Sequence, residues 1–251
     1  AGLGDQVKFI RELYSEAYSH ERADFVCCKM TLEHIADTLK FVTMVRRALD
    51  GSPDTVVFFQ VPDMLRILRE RAFWDVYYEH CSYFTAGSLQ SLFVRAGFSV
   101  DDVWSEYGSQ VLMIAARPAS TSSAATIDDA APTLSLTRTF AADVDRTIAE
   151  WRSRLLGYQK AGKSIVIWGA GSKGVAFLTK AGSDIEIRYA VDVNPYKHGT
   201  FLAGTGQEIV GPQFLREYRP GVIVVMNPIY VDEISEDLRR LGVETDIVAL
   251  S

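Results

Sequence analysis

The sequence is short of cysteine, short of basic charge and without long apolar runs. Its three cysteines are Cys27, Cys28 and Cys81, all in apolar or aromatic surroundings and none in the spaced pairs that hold zinc. No metal-ligand set is therefore expected, and the thiols read as reduced, in a cytoplasmic protein. No stretch approaches the length of a membrane-spanning helix, and no signal peptide opens the chain. Twenty-six Lys and Arg against 32 Asp and Glu leave a net charge of -6, which argues against a nucleic-acid or membrane surface. A local cationic pocket for a small phosphorylated ligand remains compatible with that charge.

What is present is a globular composition, 48% hydrophobic and 23% charged over 251 residues, enough for one large or two ordinary domains. The start, Ala1-Gly2-Leu3-Gly4, has no initiator methionine and leads straight into a helical pattern, as a piece of a longer chain would. Apolar residues Phe9, Ile10, Leu13, Tyr14 and Ala17 fall on one face of a helix predicted over 7–18. A short buried strand is predicted from Phe25 to Met30. A helix with Leu39, Val42, Val45 and Leu49 inward follows, then an apolar strand from Thr55 to Val61, completing a βαβ unit. After a short helix at 65–71, a further helix from Ala86 stops at Gly97, and strands 98–107 and 110–116 read as an antiparallel hairpin.

Residues 118–132 are nearly all Ala, Ser, Thr, Asp and Pro, a composition that marks a linker. It divides the chain into residues 1–117 and 133–251. The second part opens with a long amphipathic helix and then the strand Ile165-Val166-Ile167-Trp168. Next come the turn Gly169-Ala170-Gly171-Ser172-Lys173-Gly174 and a helix. Such a turn brings backbone close to phosphate, with the helix start supplying free N–H groups and Lys173 a cation. Asp192, ending the next strand, stands where a Rossmann acidic residue meets a ribose, and Asn227 and Tyr230 lie just past another strand's carboxyl end. The same glycines equally suit a tight loop that binds nothing.

Between 73 and 85 the sequence FWDVYYEHCSYFT concentrates tyrosines around Glu79 and His80. Rings supply shape and desolvation, and a histidine beside a carboxylate can move a proton near neutral pH. A histidine among aromatics is also the pattern of a hydrogen-bonded structural residue.

With these motifs in hand, the chain resembles the S-adenosylmethionine-dependent C-methyltransferases that act on nucleotide-linked deoxysugars. The likeness rests on CCKMTLEHI, AFWDVYYEHCSYFT, GSLQSLFVRAGF and GSQVLMIAARP in the first half. In the second it rests on IWGAGSKGVAFL, VDVNPYKHGTFLAGTGQEIVGP and VVMNPIYVDEI. It implies an α/β fold, a partial class I methyltransferase (Rossmann-like) sheet followed by a second, small Rossmann-like domain. It also implies proton removal beside a keto group by His80, with Glu79 and Tyr77 orienting that base or binding the sugar. His34, in LEHI, matches another active-site histidine and equally suits a hydrogen-bonded helix start. The nucleotide sugar is expected at Gly169, Gly171, Ser172, Lys173, Gly174, Asp192, Asn227 and Tyr230.

The chain departs from the family where S-adenosylmethionine should bind. No acidic-Gly-x-Gly-x-Gly turn and no cysteine-rich zinc module precede Phe25. The expectation is the C-terminal part of a longer enzyme, inactive by itself. Two other readings are an NAD(P)-binding oxidoreductase-type Rossmann protein, built on the glycine turn and Asp192, and a noncatalytic nucleotide-sugar binding module. The roughly 85 residues that follow the long helix are few for a complete dehydrogenase fold, which disfavours the oxidoreductase.

Overall fold

The computed structural model describes residues 7–118 and 126–250. The opening Ala1 to Gly4 and the middle of the sequence-predicted linker lie outside the described residues.

Two sheets form the frame. The first has the order β1-β2-β4-β3, built from β1 (Phe25–Lys29), β2 (Val56–Pro62), β3 (Phe98–Glu106) and β4 (Val111–Pro118). β1 runs parallel to β2 through α1 (Thr38–Ala48), whereas β4 is antiparallel to both β2 and β3. The apolar β2 sits inside the sheet, and Val57, Phe59 and Val61 are buried there with Leu89 and Phe93 of α3 (Ala86–Arg95). α3 starts on a reciprocal Thr85–Ser88 capping box.

The predicted helix over 7–18 does not form. Only Glu16–Tyr18 makes a 3-10 turn, and Phe9 and Leu13, placed inward by the sequence pattern, are 93% and 92% exposed. A helix draws most of its stability from burying its apolar stripe, and here only part of the stripe finds a neighbour, Tyr14 against the Phe41 ring, while Phe9 and Leu13 stay in solvent. The Phe25 to Met30 strand forms but is not buried. It is the sheet's edge, with Phe25, Cys27 and Lys29 exposed.

The second sheet is wholly parallel, in the order β7-β6-β5-β8-β9. Its strands are β5 (Ile165–Trp168), β6 (Ile187–Val191), β7 (Glu208–Val210), β8 (Val222–Val225) and β9 (Asp246–Ala249). The order reverses beside β5, so the crevice at the carboxyl ends of β5, β6 and β8 is a topological switch point. α5 (Ser172–Ala181), α6 (Leu215–Tyr218) and α7 (Val231–Leu241) complete the unit, and α4 (Ala130–Lys160) leads into it.

Packing does not follow the division of the sequence. From the first half, α2 (Met64–Glu70) contributes Ile67, and the segment after it contributes Ala72, Phe73 and Trp74. All four join Trp151 and Leu155 of α4 and Phe177 of α5 in one apolar core. The aromatic stretch is thus anchored between the two sheets.

Candidate active site

Residues 73–85 cross the carboxyl end of the first sheet as an irregular segment fixed by backbone hydrogen bonds. Phe73–Asp75 make a 3-10 turn. The Cys81 and Ser82 amides both donate to the Glu33 carbonyl, at 2.7 and 3.2 Å. The Met64 amide donates to the Phe84 carbonyl at 2.9 Å. These bonds lay the segment over the turn Leu32–His34 that follows β1.

His80 is thereby enclosed by rings. His34 stands edge-on at 4.8 Å between centroids, Tyr77 at 4.9 Å and Tyr83 at 5.5 Å. Burial and the neighbouring His34 lower the His80 pKa below its ordinary value, against the opposing pull of Glu79 and Asp75. The imidazole is therefore neutral at neutral pH and free to take a proton. His34 Nδ1 lies 3.2 Å from the Glu79 carbonyl oxygen. A carbonyl only accepts, so Nδ1 carries the hydrogen.

Glu79 sits differently from the sequence expectation. Its side chain is exposed, and it engages the histidine pair through its backbone carbonyl. The buried carboxylate at this place is Glu33, 1% exposed, which sequence reasoning passed over. Glu33, His34 and His80 offer ligating atoms within 4.8 Å of one another. Tyr77 donates from its hydroxyl to Asp75 at 3.2 Å, and burial next to that carboxylate pushes its pKa up. The phenol stays protonated, able to donate but not to act as a base.

Asp75, also unremarked in the sequence, is a hub. Its carboxylate pairs with Arg66 of α2, accepts from Tyr77 and meets Lys173 Nζ at 3.2 Å. Lys173 Nζ also donates to Gln110 Oε1 at 2.8 Å, and Gln110 Nε2 donates to Asn227 Oδ1 at 2.7 Å. Lys173 was expected over a phosphate. Instead its ammonium is spent on the first half of the chain, and burial lowers its pKa while Asp75 opposes that. A polar line thus joins the candidate base segment to the crevice of the second sheet.

In that crevice the glycine turn leads directly from β5 into α5. Gly169 holds φ +122°, and a Cβ on Gly174 would lie 2.5 Å from the Gly169 carbonyl oxygen, so only glycine lets α5 pack this close. Gly171 caps α5 without a side-chain bond, leaving first-turn N–H groups open, with Ser172 first in the helix. A cavity of about 340 Å³ is lined by Gly169, Val191, Asp192, Met226, Asn227 and Tyr230, among others. Burial alone would raise the Asp192 pKa. Lys197 at 2.8 Å and the Asn194 amide outweigh it and hold the carboxyl below its usual range. Glu233 and Asp237 also line the cavity. Lys197, which reaches the Ala170 carbonyl at 3.2 Å, is the cation nearest the turn that sequence reasoning missed.

The first sheet offers no comparable cradle for S-adenosylmethionine. The turn after β1, 30–35, has no glycine, and the glycine-rich turn belongs to the second sheet. The described residues of this chain do not fit that cofactor. No helix among them is long and apolar enough to cross a membrane.

Residues 122–246 match the family model of the C-methyltransferase C-terminal domain, and residues 5–103 match that of a methyltransferase domain. The C-methyltransferase NovU of Streptomyces niveus is 29% identical over 235 residues, 88% of this chain and 55% of NovU. The chain thus spans about half the length of that curated relative. A solved structure, the crystal structure of RSP, a Rex-family repressor, covers 51% of this chain and 63% of its own at 12% identity. Its TM-score of 0.26 is too low to carry any argument. The methyltransferase-domain match thus lies over the first sheet and the C-methyltransferase C-terminal-domain match over the second, the two likenesses following one another along the chain.

Proposed function

We propose that this chain is the catalytic-base and substrate-holding part of a C-methyltransferase acting on a nucleotide-linked keto-deoxysugar. The carrying observation is His80, neutral near neutral pH and boxed by Tyr77, Tyr83 and His34. A carbon beside a keto group is acidic enough for such a base. His80 accepts the proton, the C–H electron pair becomes a C=C bond, and the negative charge moves to the former keto oxygen. The Tyr77 hydroxyl, held by Asp75, is a donor for the sugar. S-adenosylmethionine supplies the methyl group in this class, and its binding is assigned to residues other than those described.

The nucleotide belongs in the crevice of the second sheet. Its diphosphate faces Gly169, Gly171, Ser172 and the open start of α5, with Gly174 allowing the close approach. Asp192 meets a ribose hydroxyl, Asn227 and Tyr230 close the mouth, and Lys173 acts from the side by tying the crevice to Asp75. The test is calorimetry on the chain. Thymidine diphosphate is expected to bind and NAD is not. Tight NAD binding would move the reading to an oxidoreductase-type domain.

A further inference from the structure

We propose that Glu33 is the positioning carboxylate of the histidine pair, the group that fixes the charge and orientation of His80, in place of the sequence neighbour Glu79. Both Glu33 carboxylate oxygens are buried without a hydrogen bond to another residue, and so is His80 Nδ1. Burying polar atoms without partners costs free energy. The residues that carry these atoms meet at one place, where Glu33, His34 and His80 each bring one ligating atom within 4.8 Å of the others. A carboxylate there does nothing for packing. What it does is stabilise positive charge on an imidazole that has just taken a proton.

The backbone makes this geometry local and rigid. The Glu33 carbonyl takes the amides of Cys81 and Ser82, so the residue carrying the carboxylate also holds the segment carrying the base. Other titratable groups face the pair. Cys28 comes from β1, and Asp75, Tyr77, Glu79, Cys81 and Tyr83 come from the overlying segment. Of the carboxylates, Asp75 is committed to Arg66, Tyr77 and Lys173, and Glu79 is exposed, which leaves Glu33 as the one unengaged beside the rings. Burial raises the Glu33 pKa, with its own amide and His34 opposing. The carboxylate therefore sits where it responds to the charge on the imidazoles.

This inference rests on the reading of His80 as the base, yet it can be tested without turnover. The chain has four histidines, His20, His34, His80 and His198, few enough to follow individually by NMR. Glu33→Gln is expected to lower the His80 pKa by about one unit and Glu33→Asp to restore most of the loss, whereas Glu79→Gln is expected to lower it by less, because water screens the pull of its exposed carboxylate. His20 and His198, remote from the pair, report that the fold is kept. An unchanged His80 in Glu33→Gln, or a larger change in Glu79→Gln, overturns the proposal. If Glu33→Gln does not fold, the parent protein decides. Its His80 resonance must carry a second, smaller step from a carboxyl titrating above the ordinary range, and a single step overturns the assignment. Stoichiometric divalent metal in the purified protein, lost in Glu33→Gln, would also overturn it by making the trio a ligand set. Failure of His80 as the base would appear separately, as intact substrate proton exchange in His80→Ala.

Discussion

At the residue scale the site depends on opposed environments. His80 is kept neutral by burial and by His34, while Glu33 is kept hard to ionise by burial. In a protein that carries this chain together with a cofactor-binding segment, His80→Ala should slow the chemical step by about a hundredfold. Loss of hydrogen exchange at the reacting carbon in deuterated buffer checks this, and exchange at the parent rate would remove His80 from the role. Because the His80 pKa is lowered, the rate should rise with pH through a midpoint below about 6.5, the ordinary histidine value. A midpoint above that value would contradict the burial argument. Glu33 has a second consequence, for stability. Its folded pKa lies above the unfolded one, so its contribution is full below about pH 4.3 and declines as pH rises through the folded value. Glu33→Gln should therefore raise Tm at pH 7 and lose that advantage below pH 4, as thermal denaturation at the two pH values would show.

Among the elements, the glycine turn and α5 were the most legible. Strand, G-x-G-x-x-G and helix occur in that order, and the structure places all three where the glycines require. Gly174→Ala should cost about 1–3 kcal/mol, because its Cβ would sit 2.5 Å from the Gly169 carbonyl and the helix must shift. Urea denaturation measures this, and a loss under about 0.5 kcal/mol would mean the packing is looser than described. The helix predicted over 7–18 was illegible for the opposite reason. Periodicity states which face could be buried, and only a neighbouring surface can bury it. Likewise the sequence could not tell that β1 is an edge, since an apolar run looks the same with one neighbour or two.

For the whole molecule, the joint between the sheets matters most. Asp75 is buried against two cations, Arg66 and Lys173, from opposite halves of the chain. Asp75→Ala would leave both less compensated and should cost about 3 kcal/mol, while also freeing the Tyr77 hydroxyl. Denaturation midpoints check the first effect, and an unaltered stability would show the joint to be dispensable. The chain alone should not bind S-adenosylmethionine at micromolar concentration, since its glycine-rich turn lies in the other sheet. Calorimetry with the cofactor decides that.

The sequence by itself determined which local pieces exist: the βαβ start, the terminal hairpin, the Rossmann turn with Asp192, and the aromatic segment with His80. Each follows from periodicity, glycine placement or side-chain chemistry within a few residues. Only the tertiary structure decided which groups share a site. Glu33 and His80 are 47 residues apart, and Asp75 and Lys173 are 98 apart. No local rule links positions so distant. Glu79 stands next to His80 in the chain, yet its side chain is exposed, and a carboxylate from another turn takes the buried place. Adjacent side chains need not face the same way, whereas those brought together by the fold are held there by packing and by the backbone bonds between Glu33 and Cys81.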